Sequence, residues 1–116
     1  MRPEMKVRKL AHRLGYRFRL HPSGLPGKPD LAFAGRRKVI FVNGCFWHQH
    51  QDPACKITRL PKSNLEYWKP KLDRNVEKDI ANVAALRELG WEVLTVWECE
   101  TVTDNALEQR LRAFLG

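Results

Sequence analysis

Cys45, Phe46, Trp47, His48, His50 and Cys55 fall within eleven residues, directly after an apolar run, Val39-Ile40-Phe41-Val42, and a turn pair, Asn43-Gly44. Few structural segments need so many metal-competent and stacking side chains together. The spacing is Cys45-x4-His50-x4-Cys55, and Cys99 lies far downstream. Zinc takes four soft or borderline ligands in a tetrahedron, and three cysteines with one histidine make a common closed set. A short loop usually supplies two or more of those ligands, and a distant fourth clips the loop to another element. His50, symmetric between Cys45 and Cys55, is the preferred imidazole, with His48 as the alternative. Against this stands the plainer reading of three reduced core cysteines beside surface histidines.

Two further residue types could do hydrolytic chemistry. Asp30 follows a proline at the start of an apolar stretch, where a carboxylate projects from a sheet end. Magnesium needs such a hard oxygen ligand and keeps several waters for phosphate chemistry. A turn aspartate bonding its own backbone would look the same. If His50 goes to zinc, His48 is left as a neutral imidazole able to take a proton from water near neutral pH. Asp79, within a long helical pattern, could orient it. Phe46, Trp47 and Trp68 sit in polar surroundings without core periodicity, and exposed aromatics can stack on or wedge between bases.

The elements that must position these residues are legible from periodicity. Val7, Leu10, Ala11 and Leu14 form one face of a helix over 3–14, with Pro3 suited to its first turn and Gly15 to its end. Glu4 in that first turn is explained by the helix dipole alone. A strand over 16–20, a Pro/Gly-rich loop over 21–30 and a strand over 31–34 follow. The central strand, 38–43, forms a hairpin with its predecessor and so brings Asp30 and Asn43 to one end of the sheet. Residues 44–63 read as a polar, Pro-punctuated excursion. A short helix is expected near Asn64–Trp68, then a long one from Asp73 to Leu89 with Val76, Ile80, Val83 and Leu86 inward. Trp91–Glu98 is too apolar on both faces for an edge strand, and Thr103 or Asp104 caps a last helix striped by Leu107, Leu111, Phe114 and Leu115. The expected fold class is α/β, a single domain over 1–116 with a mixed central sheet flanked by helices.

Composition narrows the partner. The chain has 116 residues, three cysteines and a formal charge of +8. Such a charge favours a polyanion, and nucleic acid is the usual one. No apolar run approaches the roughly 18 residues of a membrane span, so a membrane partner is not expected. The start, Met1-Arg2-Pro3-Glu4, lacks a signal peptide's apolar region, which leaves the cytoplasm as the expected compartment, where cysteines serve as thiolate ligands more than as disulfides.

Taken together, Leu25-Pro26-Gly27-Lys28-Pro29-Asp30, the run from Val39 to His50, Pro61 to Trp68, Arg74 to Asp79 and Leu89 to Cys99 resemble the very-short-patch repair (Vsr) endonucleases in order and spacing. The resemblance implies a restriction-endonuclease-like core and a monomeric enzyme that nicks double-stranded DNA beside a T·G mismatch. It implies Asp30 as the Mg2+ ligand, helped by the backbone carbonyl of Val42, with His48 as general base, Asp79 behind it and Glu4 in support. It further implies Cys45, His50, Cys55 and Cys99 on a structural Zn2+, and Phe46, Trp47 and Trp68 as DNA-intercalating aromatics. Two departures carry expectations. Asn43 stands where well-known members have histidine, so this active-site position can bond a phosphate but not shuttle a proton. The basic arm that members carry before the first helix is absent, which bears on DNA clamping. The alternatives to the nicking enzyme are a related DNA nuclease without mismatch selectivity and a catalytically silent, zinc-stabilised DNA-binding module.

Overall fold

The computed structural model describes residues 2–50, Cys55 and 63–116. Most of the excursion expected over 44–63, including Pro61 and Lys62 of the quoted motif, lies outside the described residues.

The chain runs α1 (Pro3–Arg13), β1 (Arg19–Leu20), β2 (Leu31–Phe33), β3 (Lys38–Asn43), α2 (Leu65–Glu88), β4 (Glu92–Trp97) and α3 (Asp104–Leu115), with 3₁₀ turns at Ala34–Arg36 and Glu98–Thr101. The sheet order is β1-β2-β3-β4. β1/β2 and β2/β3 are antiparallel, while β3 and β4 pair in parallel across the α2 crossover. This is the mixed sheet the pattern predicts.

Side-chain alternation explains the two layers. Leu31, Phe33, Ile40 and Val96 point to one face, where they pack with Val7, Leu10 and Ala11 of α1 and Leu107, Leu111 and Leu115 of α3. Ala32 and Val39 point to the other, against Leu86 of α2 with Phe41 and Val93 beside them. Helices therefore cover both faces. No helix among the described residues is long and apolar enough to cross a membrane.

The structure corrects four expectations. β1 is shorter than 16–20, because this register sets residues 16 and 17 opposite 35 and 34, where the chain has already left β2 for a 3₁₀ turn. The two helices expected over 64–89 are one, α2, which runs through Pro70. A proline in the second turn forgoes one hydrogen bond, and buried Leu72 together with Trp68, packed on Phe46 and Trp47, anchors the turns around it. Ile80 is 67% exposed rather than inward, because the inward stripe is Leu72, Val76, Asp79, Val83 and Leu86, and Ile80 lies one residue round from it. β4 is the last strand in the sheet order, despite its apolar sequence. Its apolarity reflects cover on both faces, not a lateral partner. At α3, Thr103 occupies the cap position without a side-chain cap bond.

Candidate active site

The carboxyl end of β3 is flanked on one side by Asp30. The Asp30 N–H donates to the Ile40 carbonyl (3.1 Å), continuing the β2/β3 ladder one step beyond the strand. Its Oδ2 accepts the Val42 N–H at 2.7 Å. The N–H fixes the carboxylate where a turn aspartate would instead bond its own loop. Burial pushes the Asp30 carboxyl above the usual range; the Val42 bond opposes this, the neighbouring Glu4 carboxyl adds to it, and His21 opposes it. Glu4 thus does more than meet a helix dipole, since α1 delivers it to Asp30. His21 was not among the sequence candidates. Its Nε2 lies 2.8 Å from Glu4 Oε1 and its Nδ1 3.9 Å from Asp30 Oδ1. The antiparallel pairing of β1 with β2 places it opposite Asp30, with its N–H on the Asp30 carbonyl (3.0 Å). Ligand atoms of Glu4, His21 and Asp30 all lie within 4.8 Å of one another, a donor set that could hold a divalent ion.

On the α2 side of the same strand end lie Asn43, His48 and Asp79. After Asn43 the chain turns, and the His48 N–H closes that turn on the Gly44 carbonyl (3.1 Å). His48 Nδ1 then meets Asp79 Oδ2 at 2.5 Å. A carboxylate on Nδ1 fixes the tautomer with the proton there and leaves Nε2 as a proton acceptor. Asn43, buried at 7% exposure, lines with His48, Asp79, Thr95 and Trp97 a cleft of about 580 Å³. The Asp30 and His48 groups therefore stand on either side of Val42 and Asn43.

Immediately beyond, Cys45, His50, Cys55 and Cys99 bring four ligand atoms within 4.8 Å of one another. His50 Nδ1 lies 3.7 Å from Cys45 Sγ and 3.4 Å from Cys99 Sγ. Bonds to tetrahedral zinc require ligand separations of about 3.6–3.8 Å, so the set fits such an ion. His50 rather than His48 faces the sulfurs, and its ring stacks on Trp97 at 4.2 Å between centroids. Burial pushes the Cys99 thiol up to about 12, with the thiols of Cys45 and Cys55 adding to it. Burial likewise raises the Cys45 thiol, opposed by the Cys99 N–H on its sulfur (3.4 Å). A metal ion held here would take the place of the protons on these raised thiols. Among the described residues no disulfide forms.

The aromatics gather into one patch. Phe46 lies 5.1 Å from Trp47 and 5.9 Å from Trp68, and Trp47 lies 5.8 Å from Trp68. Tyr67, which sequence reasoning passed over, joins at 5.2 Å from Trp68, and Lys71 sits over its ring. Trp47 and Tyr67 are each more than half exposed. The Asn75 amide holds the Trp47 carbonyl at 3.1 Å. The patch joins the loop after β3 to the start of α2, beside the His48 cleft.

A family model described as DNA mismatch endonuclease Vsr matches residues 1–54. The chain is 54% identical over 114 residues to the type II nicking enzyme V.XorIIP of Xanthomonas oryzae pv. oryzae, covering 98% of this chain and 82% of that one. It is 40% identical over 117 residues to the DNA mismatch endonuclease Vsr of Escherichia coli (strain K12), covering 97% and 73%. In fold it is similar to the homing endonuclease I-Bth0305I catalytic domain, with TM-score 0.69, 20% identity and coverage of 98% and 93%.

Proposed function

The chain belongs to the Vsr family of DNA mismatch endonucleases, and from that premise we propose that it nicks one strand of duplex DNA beside a T·G mismatch, with Mg2+ in the active site and Zn2+ in the cysteine cluster. The observation that carries the reading is the pairing at one strand end of a carboxylate set by a backbone N–H, Asp30, with a histidine set by a carboxylate, His48.

Asp30, with the Val42 carbonyl beside it, would hold the divalent ion, and Glu4 would add negative charge from α1. When bound, such an ion polarises the scissile phosphate and offsets charge developing on its oxygens. The remaining work falls to the chain. His48 Nε2 accepts the proton of the attacking water while Asp79 stabilises the imidazolium that results. The Asn43 amide is placed to donate to a phosphate oxygen, in a role that needs no proton transfer. Phe46, Trp47 and Trp68 form the wedge that opens a base step, and a mismatched step is the cheapest to unstack. Cys45, His50, Cys55 and Cys99 clip the wedge loop to the end of β4.

The test is incubation of matched and T·G-mismatched duplexes with zinc-loaded protein in Mg2+, read as single-strand nicks on a denaturing gel. A nick confined to the mismatched duplex supports the proposal. Equal nicking of both would replace it with a nuclease lacking mismatch selectivity. Binding without any nick would replace it with a silent DNA-binding module.

A further inference from the structure

We propose that His21 is a direct ligand of the catalytic divalent ion, completing with Glu4 and Asp30 a two-carboxylate, one-imidazole site that favours a first-row transition ion such as Mn2+ over Mg2+. The inference deepens the proposed function and rests on its placing of a divalent ion at Asp30.

Three separate elements deliver these groups: Glu4 from the first turn of α1, His21 from the residue after β1, and Asp30 from the residue before β2. Octahedral bonds of about 2.1 Å put neighbouring ligand atoms about 3 Å apart and opposite ones about 4 Å apart. The three groups, with ligand atoms all within 4.8 Å, need only small side-chain adjustments to meet that spacing. Glu4 Oε1 is a buried oxygen with no hydrogen-bond donor aimed at it among the described residues, although His21 Nε2 stands 2.8 Å away. Two ligand atoms that touch without a hydrogen bond between them are what convergence on a shared cation requires. A carboxylate oxygen shut away from water without a donor is otherwise a net cost to the fold.

The backbone adds a second sign. His21 has φ of +44°, in the left-handed region that a residue with a Cβ enters at a cost. The conformation is held by the His21 N–H on the Asp30 carbonyl, and it turns the ring toward Glu4 and Asp30 rather than along the β1 ladder. Imidazole is a good ligand for first-row transition ions, whereas Mg2+ prefers oxygen and water. A third ligand of this type therefore shifts the site's preference, not only its affinity.

The opposing account makes His21 an imidazolium that neutralises two carboxylates, and it predicts the opposite sign. Removing a competing cation would raise metal affinity. The experiment uses zinc-loaded full chain without DNA, titrated with Mn2+ and followed by electron paramagnetic resonance of the free ion, with Mg2+ measured by competition. His21→Asn is the principal variant because asparagine tolerates the left-handed conformation. His21→Gly, equally at ease there, is the second, and zinc content with circular dichroism confirms that each folds. Loss of a ligand should lower Mn2+ affinity by about 10-fold or more, with a clearly smaller loss for Mg2+. Unchanged or raised Mn2+ affinity, or equal losses for the two ions, would overturn the proposal. Failure of the wild-type chain to nick the T·G duplex, with its Mn2+ titration intact, would sink the proposed function and leave this inference standing. Nicking by both chains with identical Mn2+ binding would do the reverse.

Discussion

Asp79→Asn should damage catalysis more than Asp79→Ala, although asparagine is the closer match in shape. In the native chain the Asp79 carboxylate takes the Nδ1 proton of His48 at 2.5 Å, so Nε2 is free to accept a proton from water. An asparagine at the same place can offer its Nδ2–H to Nδ1. That stabilises the other tautomer, with the proton on Nε2, and disables the base. A positioned general base is worth about 10²–10⁴ in rate, so Asp79→Asn should approach the loss caused by His48→Ala. Alanine imposes no tautomer and forfeits only orientation and charge, a loss of about 10–100-fold. Both side chains are about one-third exposed (30% and 32%), and an ion pair so placed contributes about 1 kcal/mol or less to stability, so unfolding does not confound the comparison. The assay is single-turnover nicking of an end-labelled T·G duplex in Mg2+ with enzyme in excess, and thermal melts of each variant accompany it. Because the two residues act as a unit, His48→Ala combined with Asp79→Asn should be no slower than His48→Ala alone. The reasoning is refuted if alanine proves worse than asparagine, or if the double variant loses the product of the two single losses.

Other consequences are independent of that pair. Zinc uptake by metal-free protein should release protons from both Cys45 and Cys99, since their raised thiols are protonated at neutral pH; affinity should therefore rise with pH and fall on acidification, measurable by calorimetry in buffers of different ionisation enthalpy. His50→Ala should lose the zinc and His48→Ala should keep it, as elemental analysis of the purified variants will show. Trp47→Ala should weaken binding to a T·G duplex far more than to a matched one, because the wedge needs an easily unstacked step; equal losses in a fluorescence titration would make Trp47 a general contact. Gly27→Ala should destabilise the fold by about 1–3 kcal/mol in urea denaturation, because φ there is +74° and a Cβ would stand 2.7 Å from the Asn82 Cβ on α2.

Much of this protein is written locally. The alternation of Val39–Val42, the 3.6-residue stripes of α1 and α3, and the turn pair Asn43-Gly44 each specify an element from neighbours in the chain. The zinc-type ligand set was legible because three of its four members share one short loop, and chemistry left Cys99 to complete it. Residue type and position suggest Asp30, His48, Asp79 and the aromatics, and motif order adds the roles that the family resemblance implies. What the residues alone left open depended on contacts between distant segments. Periodicity reports that a face is covered and not what lies beside a strand, so β4, covered on both faces, read as a central strand and stands last in the order. Asp79 interrupts an apolar stripe, and only its distance to His48 separates an acid paired with an imidazole from a solvated one. Pro70 would end an isolated helix, but the packing of Trp68 and Leu72 carries α2 through it. His21, in a loop rich in proline and glycine, shows no pattern of its own. Its place beside Glu4 and Asp30 is decided by the antiparallel pairing of β1 with β2 and by α1 lying across the same face of the sheet, because a site assembled from three elements exists only once they pack.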